Sequence, residues 1–224
     1  MAMQRAVAET WQEVTGKPII EAYGLTETSP AVCFNPVTNH HYNGSIGLPL
    51  PSTEVLILAS DGEPVQPGEA GELCIKGPQV MKGYWNRPEE TRDVFTEDGW
   101  LRSGDMAHMD ELGYVFIEDR KKDMVLVSGF NVYPNEVEDV IASLDAVVEV
   151  AVVGIPDARS GEAVKAFIVS SDKGLTAGDV MAHCRKNLAA YKVPHQVEFR
   201  DELPKSNVGK VLRRLLRETD TALH

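Results

Sequence analysis

Near the start of the chain the apolar positions Met3, Ala6, Val7, Trp11 and Val14 recur at helical spacing, and Gly16 and Pro18 follow as stop signals. The pattern predicts one amphipathic helix over residues 2–15. A chain that opens on a core-facing helix reads as the middle of a larger domain. A short apolar strand is expected over Ile19 to Ala22. From Gly44 to Asp119 short strands alternate with turn residues: Thr53 to Leu58 before Asp61-Gly62, Gly71 to Lys76 before Gly77-Pro78, and Tyr114 to Glu118 after Leu112-Gly113. This stretch predicts a β-rich subdomain.

Beyond Asp119 strands and helices alternate. Met124 to Val127 reads as a strand, and Pro134 opens a helix with Val137, Val140, Ile141 and Leu144 on one face. Val147 to Val153 and Val164 to Val169 read as strands. Thr176 and Asp179 have capping-box spacing ahead of Val180, Met181, Cys184 and Leu188, which marks a second helix. A strand near Val197 to Phe199 and a last helix from Lys210 to Glu218 complete an α+β unit of about 100 residues, an ordinary domain size. The boundary falls at Asp119-Arg120, giving domains 1–119 and 120–224, with no internal repeat and no low-complexity segment.

A length of 224 residues suffices for two cores. Hydrophobic residues at 43% and charged residues at 25% are the proportions of a globular protein. The longest apolar stretches, such as Ala146 to Ile155, are interrupted by Glu149 and reach about half of the roughly 20 residues that a bilayer crossing needs. Met1 to Thr10, which includes Arg5 and Glu9, lacks the apolar run of a signal peptide. These features predict a cytoplasmic protein. Cys33, Cys74 and Cys184 form no CxxC and make an odd count, so buried thiols are expected rather than disulfides or a zinc ribbon. A formal charge of −12 argues against nucleic acid as a partner. Any anionic ligand must be met locally, and basic residues do cluster at Arg120-Lys121-Lys122 and from Lys205 through Lys210 to Arg213, Arg214 and Arg217.

Four motifs carry chemistry. In Tyr23-Gly24-Leu25-Thr26-Glu27-Thr28 a ring can stack on a base and a glycine allows close backbone approach. Thr26 can bond a phosphate oxygen, and Glu27 can hold magnesium. Ser103-Gly104-Asp105, behind Gly99-Trp100-Leu101, offers one carboxylate to a pair of sugar hydroxyls. Asp119-Arg120-Lys121-Lys122-Asp123, with Ser128-Gly129-Phe130-Asn131 after it, reads as a charged joint between domains followed by a strand and a tight turn. Leu203-Pro204-Lys205-Ser206-Asn207-Val208-Gly209-Lys210 delivers a lysine to the start of the last helix, where a cation gains nothing from the helix dipole and makes most sense serving an anion. Each motif alone is also what a polar turn or a solvated charge run looks like.

Taken together and in this order, the four motifs resemble the adenylate-forming superfamily of acyl-CoA synthetases, luciferases and peptide-synthetase adenylation domains. Gly44-Ser45-Ile46-Gly47-Leu48-Pro49, Gly83-Tyr84-Trp85, the run from Val127 to Glu136 and the run from Glu198 to Ser206 look most like bacterial long-chain fatty acid CoA ligases. The resemblance implies an α/β and α+β fold: the C-terminal part of a large adenylation domain with its β-rich subdomain, then a small mobile lid. It also implies two half-reactions, in which a fatty acid and ATP give acyl-adenylate and pyrophosphate, and CoA then displaces AMP. By similarity Tyr23 and Gly24 meet the adenine, Thr26 the phosphate and Glu27 the magnesium. Asp105 and Arg120 grip the ribose, Lys210 drives adenylation and Lys122 is the hinge. Ser128, Gly129 and Phe130 border the path of the CoA thiol.

The family's phosphate loop belongs far upstream of Tyr23. Thr15-Gly16-Lys17-Pro18 is no substitute, since it follows a helix and Trp11 stands where the loop's first glycine would be. The chain alone is therefore expected to lack the complete reaction and to need the N-terminal part of the same enzyme. Peripheral contact with the inner face of the cytoplasmic membrane and a homodimer stay open. So do a ligase for another carboxylic acid, transfer to a carrier protein and a non-catalytic nucleotide- or CoA-binding module. His40-His41 reads as surface loop, and Trp85 and Trp100 as core or lid packing.

Overall fold

The structure is a computed structural model describing Met3, residues 5–207 and residues 209–221, the last three without their side chains. Ala2 and Gln4 of the expected first helix and Val208 of the lysine loop lie outside the described residues. The chain divides into two compact units, Met1–Lys122 and Asp123–His224. The division falls after Lys122 rather than at Asp119-Arg120, because Asp119 and Arg120 are still paired to Met106 and Asp105 within a strand of the first unit.

The first unit opens with α1 (Arg5–Thr15). The short strands β1 (Ala22–Gly24), β2 (Ala31–Phe34) and β3 (Leu48–Pro49) then form an antiparallel sheet. Ile19 to Ile20, expected as strand, are irregular, and the strand begins at Ala22, where pairing with Phe34 starts. A second antiparallel sheet runs in the order β4 (Glu54–Leu58), β5 (Gly71–Lys76), β6 (Leu101–Met109) and β7 (Val115–Arg120). Between β5 and β6 lies α2 (Pro88–Val94), a short polar helix with proline in its first turn that apolar periodicity could not show. Leu73 and Ile75 of β5 join Val32, Cys33, Ile57 and Val115 in the core.

The second unit starts with the hairpin β8 (Val125–Val127) and β9 (Phe130–Val132), followed by α3 (Pro134–Ala142), β10 (Val147–Asp157) and β11 (Gly161–Ser170). Then come α4 (Ala177–Asn187), β12 (Gln196–Phe199) and α5 (Arg213–Thr221). The strand order is β10-β11-β8-β9, with β12 parallel to β11. Successive residues of β10 alternate between two cores. Val150 and Val152 pack with Val137 and Ile141 of α3 and Val180 and Cys184 of α4, while Ala151 and Val153 pack with Phe167, Leu203 and Leu216. A sheet covered on both faces needs apolar residues at consecutive positions, which accounts for the nearly unbroken apolar run of β10. Thr176 and Asp179 do form a capping box at the start of α4. Leu188 is the extended residue that ends this helix and still packs against the core that holds Val180 and Cys184.

All three cysteines are free and buried. Trp85 is 87% exposed, so it is no part of the first unit's core. Among the described residues no helix is long and apolar enough to cross a membrane, and no cluster of metal-ligating side chains occurs, at His40-His41 or elsewhere.

Candidate functional site

In the first unit three of the expected residues meet. The β6–β7 register sets Asp105 opposite Arg120, with Arg120 Nε 3.3 Å from Asp105 Oδ1. From β1, the Tyr23 hydroxyl donates to Asp105 Oδ2 at 2.5 Å. Asp105 is only 5% exposed. Burial, reinforced by the neighbouring Asp105 charge, pushes the Tyr23 phenol well above its ordinary range, so it stays a neutral donor.

The Tyr23-Gly24 segment is strand rather than turn. The turn is the single 3-10 turn Thr26–Thr28 that follows. The chain's own packing requires glycine at position 24, because a Cβ there would lie 1.6 Å from the Pro30 carbonyl oxygen. Close approach is made by the chain's own backbone. Thr28 is buried and closes this corner, its hydroxyl donating to the Pro30 and Leu25 carbonyls at 2.8 and 3.0 Å and accepting from the Leu25 amide at 2.9 Å.

Thr26 is exposed and Glu27 half-buried on that turn. A cleft of about 590 Å³ is lined by Glu27, Tyr84, Ser103, Gly104 and Arg120, among others. Tyr84 donates its hydroxyl to Glu27 Oε1 at 2.8 Å, and the Met81 amide donates to the Glu27 carbonyl at 2.7 Å. The Glu27 carboxylate raises the Tyr84 hydroxyl above its ordinary value. Sequence reasoning gave Tyr84 no role, since a tyrosine in a polar loop carries no periodic signal. It also missed Glu72, a nearly buried carboxylate that accepts from Arg102 Nη1 at 3.1 Å and Lys121 Nζ at 2.9 Å on the cleft wall. A signal existed there: an acid directly before the apolar run Leu73-Cys74-Ile75 must have a partner when that strand is buried.

Lys122 is exposed in the 3-10 turn Lys121–Asp123, where the two units are joined. In the second unit Ser128 and Gly129 have φ of 51° and 87°, the left-handed pair of a two-residue hairpin turn between β8 and β9. Nothing lies within 4 Å of a Cβ on Gly129, so that glycine answers to backbone conformation and leaves open space beside it. Phe130 is exposed and stacks on Tyr191 with centroids 4.9 Å apart.

Lys210 is exposed and does not open the last helix, which begins at Arg213. It belongs instead to an arch closed by the Lys205–Val211 bridge and by hydrogen bonds from the Leu212 amide to the Pro204 carbonyl and the Ser206 amide to the Lys210 carbonyl, both 2.8 Å. The first turn of α5 is reached only after this closure, which accounts for the later start.

The chain that carries this geometry belongs to the AMP-binding enzymes. The family described as AMP-binding enzyme matches residues 1–85, and the AMP-binding enzyme C-terminal domain matches residues 136–210. The chain is 59% identical over 220 residues to a long-chain-fatty-acid–CoA ligase of Yersinia pestis, a match covering 98% of this chain and 39% of that protein. It is 45% identical over 202 residues to a feruloyl-CoA synthase of Amycolatopsis, covering 88% and 40%. Among solved structures, ATP-bound MatB from Rhodopseudomonas palustris superposes with a TM-score of 0.89 at 40% identity, covering 96% of this chain and 43% of that one. The o-succinylbenzoate CoA synthetase of Bacillus subtilis with its acyl-adenylate intermediate gives 0.86 at 35% identity, covering 97% and 44%. The chain thus spans about two fifths of the length of these relatives.

Proposed function

We propose that this chain is the C-terminal part of a long-chain fatty acid CoA ligase that works in two half-reactions. A carboxylate oxygen of the fatty acid attacks the α-phosphorus of ATP and the bond to pyrophosphate breaks. The CoA sulfur, having lost its proton, then attacks the acyl carbonyl, and the bond to AMP breaks. The observation that carries this reading is the Tyr23–Asp105–Arg120 cluster, a nearly buried carboxylate held by two donors at distances of 2.5 and 3.3 Å. Held in this way, Asp105 can accept from ribose hydroxyls without reorganising. At the corner between β1 and the turn that follows it, Gly24 meets the adenine and Thr26 the phosphate.

Glu27 fits a magnesium ion of the kind that takes one or two carboxylates and completes its shell with water and phosphate oxygens. When bound, that ion neutralises phosphate charge. Tyr84 fixes the rotamer of Glu27 from one carboxylate oxygen. Lys210, exposed on its arch, supplies the ammonium that offsets charge developing in adenylation, a contribution of about 3 kcal/mol for a single donor in other enzymes. Ser128, Gly129 and Phe130 border the path of the CoA thiol, and the open space beside Gly129 supports that role. By family resemblance the second unit turns about Lys122 between the half-reactions.

Relatives at 56–59% identity named as long-chain ligases favour the long acyl substrate. A ligase for another acid is the second reading, favoured by the feruloyl-CoA synthase relative. Long acyl chains partition into bilayers, so the reading includes a cytoplasmic enzyme acting at the inner face of the membrane. The α1 stripe Val7, Trp11 and Val14, each at least half exposed, supports packing against the rest of a larger domain.

The test uses a ligase completed by joining this chain to the N-terminal region of the Yersinia pestis relative. Lys210→Ala should abolish acyl-adenylate formation and leave thioester formation from supplied acyl-adenylate largely intact, and Gly129→Leu should do the reverse. Equal loss of both half-reactions in both variants would refute the reading.

A further inference from the structure

Among the described residues of the second unit, a network of ion pairs follows the lysine arch. Arg213, the first residue of α5, is where the arch ends. Its guanidinium Nη2 donates to both Glu138 oxygens at 2.7 and 2.8 Å and to Asn135 Oδ1 at 2.9 Å. Its Nη1 lies 3.7 Å from Asp123 Oδ2. One turn further along α5, Arg217 Nη2 donates to Asp123 Oδ1 at 3.0 Å. The Glu138 side chain is 3% exposed and also accepts from the Val152 amide of β10 at 2.8 Å. Two stretches therefore converge on the guanidinium that follows the arch: the first residue after Lys122 and helix α3.

Buried ion pairs repay their desolvation poorly, and a well-packed apolar cluster would stabilise α5 as well or better. An apolar contact, however, tolerates sliding, whereas a planar guanidinium bonded to both oxygens of a carboxylate fixes distance and orientation together. Lys210 stands three residues before Arg213, so this network ties the chain just after the arch to Asp123.

We propose that Arg213, Asp123 and Glu138 are positioning residues, forming a clamp that makes the Lys210 arch and the residue next to Lys122 move as one rigid part during adenylation. The functional half of this inference rests on the roles proposed above for Lys210 and Lys122, while its mechanical half does not.

Asp123→Asn keeps the shape of the side chain and removes its charge, leaving Arg213 bound to Glu138. In the 224-residue chain, hydrogen exchange of the Ser206, Gly209, Lys210 and Leu212 amides should quicken about tenfold, the change that accompanies roughly 1.4 kcal/mol, with the β10 and β11 amides unchanged. Unchanged exchange in the arch would overturn the clamp, and so would uniform acceleration throughout the second unit, the mark of a merely structural role. Should Asp123→Asn fail to fold, Arg217→Gln, altered at a more exposed partner, decides by the same pattern with a smaller effect. In the completed ligase, Asp123→Asn should slow adenylate formation by roughly ten- to a hundredfold, the scale set by misplacing a reacting group, and spare the thioester step. Equal slowing of both steps counts against the clamp. If the unaltered ligase forms no acyl-adenylate, the proposed function fails, and the exchange experiment still judges the clamp.

Discussion

Gly24→Ala provides the sharpest physical test of the nucleotide-side corner. An added Cβ would lie 1.6 Å from the Pro30 carbonyl oxygen and 2.5 Å from its carbon. Carbon–oxygen contacts begin near about 3.3 Å, so the carbonyl would have to retreat by roughly 1.5 to 2 Å. The obstructing atoms are backbone, and no change of rotamer relieves them. Retreat pulls Pro30 away from the buried Thr28 hydroxyl that donates to it at 2.8 Å and splits the short β1–β2 ladder. Overpacking costs about 1–3 kcal/mol and a lost buried hydrogen bond about 1–3 kcal/mol. A loss of about 2–6 kcal/mol follows, centred near 4. The tryptophans Trp11, Trp85 and Trp100 all lie in the first unit, so their fluorescence during urea unfolding reports that unit alone. With an m-value near 2 kcal/mol per molar urea, the midpoint should fall by about 2 M. Gly62→Ala is the control: nothing lies within 4 Å of its Cβ and only its φ of +90° opposes the methyl, so it should cost about 1 kcal/mol. A Gly24→Ala midpoint within about 0.5 M of the parent would refute the steric reasoning.

Two further outcomes follow from single side chains. Burial raises the Glu21 carboxyl from 4.5 to about 7, and its Oε2 is buried without a hydrogen-bond partner among the described residues. The folded state therefore holds this proton more tightly than the unfolded one. Stability falls as pH rises from about 4.5 to about 7 and levels off above that. Glu21→Gln should accordingly raise the urea midpoint at pH above 7 and lose its advantage below pH 4.5, and a pH-independent effect would sink the assignment. Tyr84→Phe frees Glu27 from its 2.8 Å donor. In the completed ligase it should weaken ATP binding about tenfold with magnesium present and leave binding in a chelator unchanged, as measured by calorimetry. Equal weakening in both conditions would mean that Tyr84 contacts the nucleotide itself.

Much of this protein was legible in local pattern. Helical spacing announced α3, the Thr176–Asp179 pair announced the start of α4, and turn residues bounded β4, β5 and β7, because each signal is written within a few neighbouring residues. The four chemistry-bearing motifs were equally visible and, with their order, indicated the family. Tertiary structure alone decided what those residues do to one another. Strand register set Asp105 against Arg120, and a contact between two sheets brought Tyr23 beside them. A returning chain made Gly24 obligatory, a requirement that its place in the motif did not state. The late start of α5 moved Lys210 from a helix end to an arch, and packing drew Asp123, Glu138 and Arg213 together from stretches far apart in sequence. The physical reason is the same throughout. Propensity and periodicity act over a turn or two, whereas register, burial and charge pairing are properties of segments that meet only once the chain has folded.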